Sequence, residues 1–89
     1  MVIKADMTLE LRREIEEAFR GMTLSESGKE VILNWILFKE EGERLLKYLK
    51  EHPQATFQEV SQATHEIVMD VAKKKGLTPL QRDRLYMGI

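Results

Sequence analysis

The chain reads as an all-α protein, one small domain of four helices over residues 1–89, with one long central helix. Three observations predict this. Apolar residues recur every three or four positions over most of the chain, the period of a helix with one buried face. A hydroxyl residue followed three positions later by Glu or Gln, a helix-start signature, occurs at Thr23 with Glu26, Ser27 with Glu30, Thr56 with Glu59 and Thr78 with Gln81. Most of the two prolines and five glycines fall where those helices begin or end.

The first helix is predicted over residues 8–20. Leu11, Ile15, Ala18, Phe19 and Met22 form its apolar stripe, and Arg12, Arg13, Glu16, Glu17 and Arg20 fill the opposite face. Gly21 is expected to end it as a left-handed cap.

The second helix is predicted from about Gly28 to Glu51, after an irregular turn carrying two overlapping start signals. At 1.5 Å per residue it would be a rod of roughly 36 Å. Pro53 enforces its end, because the residue before a proline is pushed out of helical geometry. Residues 31–38 are apolar nearly all round, apart from Asn34, so more than one side should be covered. From Lys39 onward the pattern becomes amphipathic. Val31, Trp35, Phe38, Gly42, Leu45 and Leu49 follow the spacing of a heptad seam. A short apolar run also suits a strand, but the charged helical continuation favours a helix.

Thr56 opens the third helix, in which Phe57, Val60, Thr64, Ile67 and Val71 form the stripe. Lys73, Lys74 and Lys75 lie in its last turn, where cations complement the helix dipole, and Gly76 is the cap. Thr78, Pro79 and Gln81 then restart a short helix expected over residues 79–87. Residues 1–3 and 86–89 are apolar enough to tie down the ends.

Composition narrows the functional classes. A chain of 89 residues buries roughly 60–65% of its unfolded surface, a thin core. The absence of Cys removes disulfide scaffolds, thiolate zinc sites and cysteine nucleophiles. The longest apolar run is too short to span a bilayer, and the first residues lack a secretory pattern, so a cytoplasmic protein with no membrane partner is expected.

Residues 45–53 followed by 55–61 (Leu-Leu-Lys-Tyr-Leu-Lys-Glu-His-Pro, then Ala-Thr-Phe-Gln-Glu-Val-Ser) resemble the first two helices of winged-helix regulators. The resemblance implies a helix–turn–helix pair. It stops there, because Ala63, Thr64, His65 and Glu66 continue in helical register with no glycine turn, recognition helix or wing. It carries no function.

Catalysis has little to build on. His52 and His65 lack metal-ligand neighbours at helical spacing, and phosphate-cradling glycine loops and nucleophile elbows are absent. His65 and Met69 share a helix face but read as packing residues rather than ligands. No enzyme activity, metal or cofactor is expected.

Association is the leading expectation: an adaptor, regulator or inhibitor that binds a protein partner, or a second copy as a homodimer, through an apolar helix surface. Ile32, Trp35, Ile36, Phe38 and Leu45 are the candidate interface residues, with Trp35 an anchor of the kind enriched in hot spots. The alternative is a nucleic-acid-binding regulator. Residues 1–45 carry 7 basic and 10 acidic groups, whereas residues 46–89 carry 7 and 5. Lys73, Lys74, Lys75, Arg82 and Arg84 could form one patch that meets phosphates.

Overall fold

The computed structural model describes residues 6–78, 80 and 81. The expected terminal ties, the body of the last predicted helix, and Arg82 and Arg84 with it, lie outside these residues. Among the described residues there are four helices and no strand: α1 (Leu9–Arg20), α2 (Glu26–Trp35), α3 (Lys39–Glu51) and α4 (Phe57–Lys74). The expected number is met by different elements, because the long central helix is two helices.

Helix α1 follows its local signals. Thr8 Oγ1 accepts from the Leu11 N–H at 3.1 Å, and Leu11, Ile15 and Phe19 are buried. Gly21 departs from expectation: its φ is −84°, not left-handed. The chain instead leaves α1 through a tight turn in which the Met22 N–H donates to the Phe19 carbonyl at 3.0 Å, and Met22 is buried. Helix α2 starts from neither overlapping signal. Ser25 is its N-cap, accepting from the Gly28 N–H at 3.1 Å.

The long helix breaks at residues 36–38. Ile36 and Phe38 both adopt extended backbone, and their side chains are 4% and 1% exposed. An unbroken helix would set these two side chains about 200° apart, so one core could not receive both. Extended chain points residues i and i+2 to the same side, which suits this pair. Three replacements offset the lost helical hydrogen bonds. The fully buried Glu41 accepts through Oε1 from the Leu37 N–H at 2.9 Å and the Phe38 N–H at 3.0 Å. Asp6 Oδ1 accepts from the Lys39 N–H at 2.6 Å. The Leu37 carbonyl accepts from the Asp6 and Met7 N–H groups at 3.1 and 3.2 Å. A segment from the start of the described chain thus straps the elbow from outside.

Helices α3 and α4 realise the helix–turn–helix pair. Helix α3 ends at Glu51, and the turn through Pro53 closes with the Ala55 N–H donating to His52 at 3.1 Å. At Thr56 the capping box forms in full: its hydroxyl accepts from the Glu59 N–H at 3.2 Å, and Glu59 accepts from the Thr56 N–H at 3.0 Å. The bond from the Thr56 N–H, with a second that the Thr56 hydroxyl donates to the same carboxylate at 3.1 Å, holds the Glu59 pKa below its usual range. Helix α4 ends in a Schellman motif, with Gly76 at φ +73° and the Leu77 N–H donating to the Ala72 carbonyl at 2.8 Å. Thr78 and Gln81 then exchange the two capping bonds that their spacing implies, at 2.8 and 3.2 Å.

Helix α3 sits at the centre, packed on α1 along one side and on α4 along the other, while α2 touches α1 and α4 more sparsely. The core draws Ile15 and Phe19 from α1, Ile32 from α2, Phe38 from the elbow, Leu45 and Leu49 from α3, and Val60, Val68 and Val71 from α4. The Thr64 hydroxyl, buried among them, donates to the Val60 carbonyl at 2.7 Å. No helix among the described residues is long and apolar enough to cross a membrane.

Candidate interaction surface

Four of the five candidate interface residues lie in the core of the monomer: Ile32, Ile36, Phe38 and Leu45 are 2%, 4%, 1% and 0% exposed. Only Trp35 reaches the surface, half-buried at the end of α2. The break explains this, since turning the chain at residues 36–38 gives α3 its own direction. The lower half of the heptad seam (Phe38, Gly42, Leu45 and Leu49) faces inward. Val31, from its upper half, is 59% exposed.

Trp35 opens onto a seam between α2 and α4. Gly28, Val31 and Trp35 are three and four apart, so they share one face of α2, and Phe57, Ser61 and His65 likewise share one face of α4. The two faces meet at both ends. The Phe57 ring lies over the α2 backbone at Gly28, where an added Cβ would stand 2.9 Å from the ring. The Trp35 and His65 rings stack with centroids 5.8 Å apart and planes 27° apart. A shallow groove between them is lined by Trp35, Phe57, Gln58, Ser61, Gln62 and His65. In a chain that is 33% Asp, Glu, Lys and Arg, none of those residue types lines it. Phe57 is 43% exposed, so the residue expected to lead the core stripe of α4 stands instead at the edge of this seam.

The opposite side of α4 carries charge. Arg44 on α3 donates to Asp70 on α4 at 2.6 Å, and Lys74 lies 3.3 Å from Glu40 and 3.7 Å from Asp70. Glu40 and Arg44, 3.8 Å apart, close a ring of four alternating charges across the helix pair. The hydrogen bond from Arg44, with help from Lys74, holds the Asp70 carboxyl below its usual range. Asp70 therefore contributes stability at neutral pH, and this is lost as pH falls from the ordinary aspartate range through the lowered folded-state value. We expect Asp70→Asn to lower the melting temperature slightly at neutral pH and low salt. The difference from wild type should shrink in molar salt and in acid, because these partners are largely exposed to solvent.

This ring also bears on the basic candidates. Lys74 is ion-paired within it, and the Lys75 ammonium sits 4.7 Å above the Phe38 ring as a cation–π contact. Lys73 is exposed. The three lysines share a helix end, but two of them have internal partners, which leaves less charge for phosphates. The two histidines are apart: His52 packs against Tyr48 with ring centroids 4.5 Å apart, whereas His65 belongs to the seam.

Sequence reasoning missed Val31 and Phe57 as surface residues. Helical spacing shows that a residue belongs to an apolar stripe but not whether it lies at the middle or the rim. The one usable signal was Gly28, placed where a neighbouring ring needs the backbone. No known family model, curated protein or solved structure matches this chain.

Proposed function

We propose that this chain is a non-catalytic protein-interaction module that self-associates as a homodimer through the α2–α4 seam. The observation that carries the reading is an aromatic seam lined by no Asp, Glu, Lys or Arg on an otherwise highly charged protein. Val31, Trp35 and Phe57 together expose apolar surface of the kind that marks interaction sites. Burying such side chains contributes roughly 1.5–3 kcal/mol each when complete. The lack of Asp, Glu, Lys and Arg in the lining favours a second copy as the occupant. In a two-fold interface the same patch meets itself, so a lysine or glutamate near the axis would face its own charge. Gln58, Ser61 and Gln62 supply both donors and acceptors, which can pair across such an axis.

Val31 gives a clean test because it is exposed and its replacement leaves the core intact. Sedimentation equilibrium is expected to show wild type associating, and Val31→Glu and Val31→Lys each monomeric, with unchanged helix content. Mixing the two variants should recover association, since opposite charges then meet across the seam. A monomeric wild type at hundreds of micromolar, or a Val31→Glu protein that associates as well as wild type, would overturn the proposal.

A further inference from the structure

We infer that Asp6 and Met7, just before α1, form a latch that holds α2 against α4, and so govern whether the seam exists. Its effect on assembly rests on the reading of the seam as the self-association surface; the latch itself does not. Helix α2 is the least anchored of the four. It packs sparsely on α1 and α4, buries only Gly28, Ile32 and Leu33, and is joined at both ends by non-helical chain. Its direction is therefore set largely by the elbow at residues 36–38.

The elbow in turn is held from within by Glu41 and from outside by Asp6 and Met7. The Asp6 and Met7 N–H groups donate to the Leu37 carbonyl, and the Asp6 carboxylate accepts from the Lys39 N–H, the first helical residue of α3. The residue at the N-cap position itself is Phe38, which has no side-chain acceptor to offer. Asp6 acts in its place from 33 positions away in the chain. Met7 seats the latch: its thioether lies so close to α3 at Gly42 that a Cβ added there would stand 2.7 Å from Sδ. With the latch seated, the Trp35–His65 stack and the Phe57–Gly28 contact are both made. With it lifted, α2 pivots on residues 36–38, and those two contacts are the ones that open.

Amide hydrogen exchange in the full chain tests this, measured on the Val31→Glu background so that association plays no part. Losing a side-chain cap shifts the local equilibrium about fivefold. Asp6→Ala should therefore speed exchange throughout α2 and in the first turn of α3, which Asp6 caps, about fivefold, while the rest of α3 and α4 hold their protection. Emission from Trp35, the only tryptophan, should move to the red as it leaves His65. Asp6→Asn keeps a capping oxygen and should behave like the parent. Acceleration spread equally over all four helices, no acceleration in α2, or an Asp6→Asn variant that matches Asp6→Ala would each overturn the latch. None of these results depends on whether the seam dimerises.

Discussion

Replacing Leu45 with alanine is expected to remove about 2–5 kcal/mol of folding stability, the range for emptying a well-packed leucine site. Leu45 is 0% exposed and sits on α3, which packs against both α1 and α4. Neighbours on two sides cannot both collapse into the space, so much of it stays as a cavity. Domains of this size have little stability to spare, and the variant should be largely unfolded near body temperature. The same loss should appear in urea melts of Leu45→Ala made in the Val31→Glu protein. That control matters because Leu45 also fits a heptad seam by spacing. A loss seen only at concentrations where the wild type associates would return Leu45 to an interface. A loss below 1 kcal/mol would contradict its place in the core.

The second large effect is expected at Glu41. Its Oε1 is the acceptor for both the Leu37 and Phe38 N–H groups, and the Glu41 side chain is fully buried. Glu41→Ala leaves both donors without that acceptor, and each such loss costs roughly 1–3 kcal/mol. Glu41→Gln retains a carbonyl oxygen at the same reach and should recover most of the difference. Chemical denaturation of the three proteins checks this. If alanine and glutamine variants are equally stable, the elbow does not depend on that acceptor.

The elbow also marks the boundary of what could be read in advance. Helix starts at Thr8 and Thr56 and the stop at Gly76 are local: the capping residue and the groups it satisfies lie within a few positions. The break at residues 36–38 has no such mark. No glycine or proline stands there, and the apolar spacing runs straight through it. What stabilises it is a carboxylate from Asp6, far off in sequence, and a glutamate that looks like any solvated charge in the first turn of a helix. The deciding factor is tertiary: two side chains, Ile36 and Phe38, that a single core must receive together.

The candidate surface follows from the same break. Trp35 was identifiable as an anchor from its type alone. Ile32, Ile36, Phe38 and Leu45 were equally apolar, and only the re-aimed chain separates them from it. Val31 and Phe57 carry no distinguishing chemistry. They are surface residues because the elbow rotates α2 and because Gly28 lets the Phe57 ring rest on backbone instead of sinking into the core.

A dilution series on the wild-type protein, with mass and Trp35 emission recorded on the same samples, tests the seam most directly. The chain holds one tryptophan, and it lies in the groove. The expected result is a mass rising from 10.4 kDa to twice that value, with Trp35 emission moving to the blue over the same concentrations as its exposed edge is covered. A mass that stays at 10.4 kDa throughout, or one that doubles while Trp35 emission does not move, would contradict self-association through this surface.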